Sequence, residues 1–467
     1  MIREITAVLK GTEVVIFLVA IAYFSGYSIG YALAGLLTLR VIRIFSILFW
    51  LVHLTLPFSL RYLMGSMGKI LPTISFVIIL FFTTFALTSF YSLLLPRFID
   101  LSSSGSNSLP KFYSVELFGA LSGLAVVFLL GSIPGTQQIL YQLALATIVA
   151  LIFGGKRIWL ISGLAAIIYG VSFSSLEQES LAYLYTKFHG ISGSRVLYSA
   201  NSPYQKVDIV ESATGRRYIY LDGKKNYGSL SLKLFNVFLS QTPAQLVKPS
   251  KALVLGAGSM ESVKYIGSVA NHLRIVDIDN AVPKGSQLYF KYTNHIDEYD
   301  NWVLTIDDAK SFLSKTEEYY DLITVDIPAP LQIQTALLHS VEFYQIAKKR
   351  LTPQGVISIS LSGTFKKQNK TPRTVAAALT QVFKEVLIHT PDIAKRSFAI
   401  AGQKLPFTQE QLESELIQQG ANRVQIFNKS EALEIVDGIK PITFYNLSYP
   451  LKRSLRKVKK SFFPSKK

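Results

Sequence analysis

The stretch Lys251–Gly267, KALVLGAGSMESVKYIG, decides how the second half of the chain is read. One lysine is followed by four apolar residues, two glycines one position apart, and a segment in helical register. The order is that of a strand, a tight turn and a helix start. Glycines at such a turn let backbone amides approach a ligand at the helix N-terminus, which makes Gly256 and Gly258 candidate binding residues. By itself G-x-G is a weak signal. Met260 and Glu261 weaken it further, since they break G-x-G-x-G and G-x-G-x-x-G.

Working downstream, strands and helices alternate through LRIVDID, WVLTIDDAKSFLSK, YYDLITVDIP, HSVEFYQIAKKRL, GVISISLSG and RTVAAALTQVFKEV. Such alternation predicts βαβ units and a mainly parallel, doubly wound sheet, with ligands held beyond the carboxyl ends of the strands. The residues ending each strand are therefore the informative ones. Asp277 follows the glycine turn by about twenty residues, the distance at which an acid commonly accepts hydrogen bonds from ribose hydroxyls. Asp307 and Asp308 end the next strand, where a carboxylate either faces an adenine amine or caps the helix AKSFLSK; Asp308 can do both. Asp326 ends YYDLITVD beside a loop stiffened by Pro328 and Pro330. It is placed either to take a proton from an amine or to cap the next turn.

Upstream, VLYSANSPYQKVDIVESATGRRYIYLDGKKNYG predicts a small antiparallel strand unit. Before it, Val14–Leu37, Ile44–Leu60, Ile70–Leu95, Val115–Gly131, Ile139–Phe153 and Ile158–Phe173 are nearly free of charge. Several approach the ~20 residues a bilayer core demands, and six transmembrane helices are expected. A soluble helical core would need polar faces at helical spacing, and VVIFLVAIAYF has none. No small-residue cleavage site follows the first run, so a cleaved leader is not expected. The resulting division is a transmembrane domain over 1–173, a linker over 174–192, a strand subdomain over 193–250, a nucleotide-type domain over 251–450 and a polybasic tail over 451–467. SSSGSNS at Ser102–Ser108 reads as a loop.

The chain has 467 residues, a formal charge of +18 and no cysteine, which rules out disulfides and thiolate metal sites. The charge does not suggest nucleic acid. Much of it lies in LKRSLRKVKKSFFPSKK, a pattern that fits anionic inner-leaflet lipid or else a solvated tail. Arg40, Arg43, Arg97, Lys111, Lys156 and Arg157 fall on one side of the helices and Arg3, Lys10, Arg61 and Lys69 on the other, so loop charge does not set orientation. The C-terminal domain is placed in the cytoplasm, where nucleotide-type ligands are found, and the chain in the inner membrane as a multi-pass protein. Within the apolar block, Glu116 is an ionisable group at or inside the boundary, and Gly26, Gly30 and Gly35 are spaced for close helix contact.

Taken together, SPYQ at Ser202–Gln205, LDG at Leu221–Gly223, LVLGAG, VDID, DDAKSFL, YDLITVDIPAP and LHSVEFYQIAKKRLTPQGVISIS resemble, in order and spacing, the polyamine aminopropyltransferases, or spermidine synthases. FYSVELFGALSG at Phe112–Gly123 looks like a helix of the bacterial members fused to a membrane domain. The resemblance implies transfer of an aminopropyl group from decarboxylated S-adenosylmethionine to an amine. It further implies that Gln205 lies against the thioether side of the nucleotide, Asp277 holds ribose, Asp308 with Ala309 meets adenine, and Asp326 orients or deprotonates the amine. The sulfonium leaving group carries its own driving charge, so neither a metal nor a tightly bound cofactor is expected, and six scattered histidines agree. The implied partners are the adenosyl co-substrate, a small acceptor and membrane lipid; a homodimer is compatible with this.

The chain also departs from the family. Where family loops continue with Asp and glycines it has Ser259, Met260 and Glu261, so the acid facing the aminopropyl ammonium is absent or displaced. Asn226, Ser231, Leu232, Phe235 and Val237 stand where acceptor-binding polar and acidic residues are usual, and Ala329 where a second acid is frequent. Lys224, Lys225 and Lys233 add positive charge near the expected substrate mouth and suit a neutral or anionic acceptor over a diamine. Two other readings follow from these departures: a methyltransferase using ordinary S-adenosylmethionine, or a catalytically silent nucleoside-binding sensor or transport-coupled membrane protein.

Overall fold

The structure is a computed structural model and describes residues 13–67, 73–101, 109–130, 134–153, 156–229, 233–256, 258–330, 332–449 and 452. The loop at 102–108 and all but one residue of the 451–467 tail lie outside these. The chain folds as two compact units divided between Asn226 and Tyr227.

Among the described residues of the first unit, six helices cover the apolar runs: α1 (Glu13–Leu33), α2 (Leu39–Met67), α3 (Thr73–Leu101), α4 (Leu109–Leu130), α5 (Pro134–Phe153) and α6 (Lys156–Lys187). Among the described residues, three stretches are long and apolar enough to cross a membrane: Leu39–Leu56, Ser75–Leu94 and Arg157–Lys187. The apolar lengths in α1 and α5 are shorter, Phe17–Leu33 and Gln138–Phe153, so six spans are not established. The small-residue spacing works at two of its three positions. A Cβ on Gly26 would stand 2.6 Å from Phe85 O and one on Gly30 2.2 Å from Ser89 O, whereas Gly35 faces nothing within 4 Å. Only the missing side chains let α1 lie this close to α3. Glu116 accepts a hydrogen bond from Tyr31 Oη at 3.2 Å on the exposed side of α4.

The segment 174–192, expected as a helical linker, is helical to Lys187 as the unbroken continuation of α6. A four-stranded antiparallel sheet follows: β1 (Arg195–Asn201), β2 (Lys206–Glu211), β3 (Arg217–Leu221) and β4 (Lys224–Gly228). It is tied to the end of α6, where Tyr185 Oη donates to Asp208 Oδ2 at 2.8 Å and Thr186 Oγ1 lies 2.8 Å from Ser194 Oγ.

The second unit holds an eight-stranded sheet in the order β12-β10-β11-β9-β8-β5-β6-β7. Its strands are β5 (Lys251–Leu255), β6 (His272–Asp277), β7 (Trp302–Ile306), β8 (Tyr320–Val325), β9 (Leu351–Ser360), β10 (Glu385–Pro391), β11 (Phe398–Gly402) and β12 (Val424–Phe427). Pairing is parallel across β9-β8-β5-β6-β7 and antiparallel at β9-β11, β11-β10 and β10-β12. Alternate residues of the central strands feed two cores. Leu253, Leu255, Ile323 and Val325 join one, and Ala252, Val254 and Leu322 the other. Both faces are thus apolar, which is why KALVL shows no alternation in its sequence. From β5 the chain moves outward to β6 and β7, then returns to the other side of β5 as β8. The gap between β5 and β8 is therefore the switch point of the sheet.

Candidate functional site

Backbone hydrogen bonds join four strand ends into one rim. Gly256 N donates to Val276 O (2.8 Å), Asp326 N to Leu255 O (2.9 Å) and Asp307 N to Asp277 O (3.1 Å). The glycine turn is built for this rim. Gly256 has φ +84°, and a Cβ there would stand 2.7 Å from Asp326 O. Its first duty is thus to let β8 end beside β5. At Gly258 a Cβ would meet Asp277 Oδ2 at 3.0 Å and Val282 Cγ1 at 2.8 Å, so the turn lies against the Asp277 carboxylate.

The residues after the turn are fastened individually. Met260 has φ +57° and is fully buried with Phe238, Val254 and Val263, a left-handed conformation that costs a non-glycine residue about 1–2 kcal/mol. Ser259 O accepts from Asn294 Nδ2 at 2.6 Å, and Asn294 Oδ1 accepts from Tyr227 Oη at 2.6 Å. Glu261, only 5% exposed, accepts at Oε2 from Asn236 Nδ2 at 2.5 Å. Burial holds its carboxyl above the usual carboxylate range, against the opposing pull of Asn236 and Lys264.

Asp277 is buried, and its Oδ1 accepts from Asp279 N at 2.8 Å. Burial pushes it up to about 6, with the Asp279 amide opposing and the Asp279 charge adding. Asp326 is half-buried, and its carboxylate has no hydrogen bond or ion pair to any described residue. It is pushed up to about 7, first by burial, then by the negative charges of Glu261 and Asp277, with Arg396 acting in the other direction. These three acids form one electrostatic group. Asp308 stands apart from it. Its Oδ1 accepts from Ser311 N at 2.8 Å as the N-cap of the helix Ala309–Lys315, and Ala309 packs into the core with Phe312. Gln205 belongs to the other unit, in the turn between β1 and β2, where its amide donates to Ser202 Oγ at 3.0 Å.

Two residues of the second unit escape a reading of the sequence by strand ends. Glu261 registers there only as a break in the glycine pattern. Arg396 lies seventy residues beyond Asp326 in a segment without a motif, yet its guanidinium sits 5.0 Å over the Phe235 ring and bears electrostatically on Asp326. Among the described residues no three histidine or acidic side chains are grouped so as to hold a metal ion. A shallow cleft in the helical unit is lined by Phe49, Trp50, Phe90 and Tyr91, and none of the candidate site residues borders it.

A rim of acids at a sheet switch point marks the second unit as a doubly wound α/β domain with a ligand crevice at its carboxyl edge. Residues 236–398, a little over a third of the chain, match the family described as Spermine/spermidine synthase domain. Over these residues the chain is similar to the spermidine synthase, or polyamine aminopropyltransferase, family. Polyamine aminopropyltransferase 2 of Aquifex aeolicus is 27% identical over 52% of this chain and 49% of its own length. The polyamine aminopropyltransferase of Saccharolobus solfataricus is 29% identical over 43% of this chain and 68% of its own. The chain thus spans about half the length of the Aquifex relative. A spermidine synthase crystallised with the transition-state analogue AdoDATO aligns at 19% identity and a TM-score of 0.43, covering 56% of this chain and 89% of that one. The Thermotoga maritima spermidine synthase aligns at 19% and 0.41, covering 52% and 84%.

Proposed function

We propose that the chain is a membrane-anchored aminopropyltransferase that uses decarboxylated S-adenosylmethionine and an amine acceptor. The observation that carries this reading is the unpartnered Asp326 carboxylate, raised to about 7 beside Glu261 and Asp277. An aliphatic amine, with a reference pKa near ~10.4, is protonated at neutral pH and is no nucleophile until a base removes its proton. A base poised near 7 suits that task. The freed nitrogen attacks the carbon next to the sulfonium sulfur. A C–N bond forms as the C–S bond breaks, the bonding pair stays on sulfur to give neutral methylthioadenosine, and the amine proton passes to Asp326.

The other assignments rest on the same rim. Asp277 keeps Oδ2 beside the glycine turn for ribose, while Oδ1 is held by Asp279 N. Asp308 with Ala309 is assigned to adenine. A group of three acids favours a donor with a sulfonium and an ammonium and no carboxylate, which supports the decarboxylated form over S-adenosylmethionine. Membrane anchoring is supported by the three long apolar stretches and by outward-facing Phe24, Phe82, Phe118 and Phe128, between 63% and 84% exposed. We place the α/β unit on the cytoplasmic side of the inner membrane.

The test uses the full chain purified in detergent. Methylthioadenosine release from decarboxylated S-adenosylmethionine with an amine panel is the expected result, with Asp326→Asn as control. Tighter calorimetric binding of the carboxylated form, or donor binding with no transfer to any amine, overturns the reading.

A further inference from the structure

Arg396 and Asp326 stand on the same edge of the sheet with one strand end between them. Val325 of β8 pairs with Ile359 of β9, and Ser360 of β9 pairs with Phe398 of β11, two residues after Arg396. Strands two apart are separated by roughly 10 Å, so a long guanidinium side chain and a carboxylate can approach from either side of β9. They feel each other's charge, yet no N···O distance between them reaches 4.0 Å, and neither has another ion-pair partner among the described residues.

The guanidinium is also held in place. It lies 5.0 Å over the Phe235 ring, and that ring packs at 5.7 Å on Phe398. Stacking of this kind fixes the plane of an arginine and leaves its donors free at the edge. Asn236, next in sequence to Phe235, bonds Glu261, so the short helix Lys233–Asn236 braces one acid and an arginine that opposes the acid group. An unpaired acid and an unpaired, pre-oriented guanidinium across a gap are complementary to a ligand with both charges.

We propose that Arg396 is a specificity-determining residue that binds the oxyanion of a zwitterionic acceptor, a carboxylate or phosphate on the same small molecule whose amine meets Asp326. This rests on the aminopropyl-transfer reading for the role of Asp326 but not for the existence of the subsite. A simple diamine would bring a second ammonium toward Arg396 and be disfavoured; an amino acid or a phosphoamine would bring an anion to it and gain a bidentate partner.

The experiment compares γ-aminobutyrate, phosphoethanolamine and putrescine with the full chain in detergent, in wild type, Arg396→Gln and Arg396→Lys. Binding is read by thermal shift in the presence of methylthioadenosine, and transfer by product formation. The expected result is that one of the two zwitterions binds wild type at least tenfold more tightly than putrescine. Arg396→Gln then raises its KM tenfold or more with kcat changed less than threefold, and Arg396→Lys recovers part of the loss. Preference for γ-aminobutyrate identifies a carboxylate, and for phosphoethanolamine a phosphate. Arginine-dependent binding of a zwitterion without transfer supports the subsite and sinks the transferase reading. Transfer to putrescine alone, unaltered in Arg396→Gln, overturns the subsite and leaves the transferase standing. Failure of all three ligands to bind overturns the subsite as well.

Discussion

The ends of β7 and β8 look alike in sequence, each an apolar strand closed by aspartate, and they are put to different uses. At β7, Asp307 Oδ1 accepts from Asp308 N and Asp308 Oδ1 from Ser311 N, so the acids there are bound into the start of a helix. At β8, Asp326 is followed by IPAP, the next described helix starts only at Ile333, and its carboxylate has no hydrogen-bond partner among the described residues. A carboxylate saturated by backbone amides contributes local stability. One left open beside two other acids becomes a group whose protonation is poised for chemistry.

The contrast breaks most sharply on activity. Asp326→Asn keeps the shape and removes the base, and transfer is expected to fall by ~10²–10⁴-fold with donor affinity within tenfold, read by product formation and calorimetry. Asp277→Ala removes a charge-assisted hydrogen bond worth about 1.5–3 kcal/mol, so donor binding weakens roughly 10- to 100-fold while acceptor KM moves little.

On pH, the proposed role of Asp326 as base needs its carboxylate ionised, so the rate should rise with pH through about 7. Glu261→Gln removes a charge that raises Asp326 and moves this limb to lower pH; a limb that stays in place would show that the two acids do not interact. Stability runs the opposite way. Because folding raises the Asp326 pKa above its unfolded value, its contribution is fully present below the unfolded carboxylate range and is lost as pH climbs through about 7. Asp326→Asn should therefore raise the midpoint of thermal unfolding at pH 8 and leave it nearly unchanged at pH 4. The smallest effect is at β7: Asp308→Ala removes an N-cap and should cost about 1 kcal/mol, or roughly 2–4 °C, as a loss of stability.

Much of the α/β unit is legible because its signals are local. ALVL is apolar on every residue since it is buried on both faces, and each strand end follows from the same alternation. The antiparallel edge is less legible, because FAIAG and EVLIHTP are as apolar as the parallel strands and nothing in them reports direction. At the site, three aspartates can be found by position but not sorted by use, since whether Asp308 serves a helix or a ligand depends on the backbone around it. Glu261 and Arg396 are set by tertiary contacts, with Asn236 and Phe235, from a helix 25 and 161 residues earlier in the chain. Met260 shows the same limit, a buried side chain in a backbone conformation that its residue type does not announce.

The unbroken course of α6 has a mechanical consequence. At 1.5 Å per residue its 32 residues make a rod of about 48 Å, against roughly 30 Å for the oily layer of a bilayer. A crossing α6 would then stand some 18 Å clear as a stiff post, with the β1–β4 sheet bolted to its tip through Tyr185 and Thr186. That sheet, and Gln205 in its first turn, would be carried at a set height over the lipid heads and not swing on a slack tether.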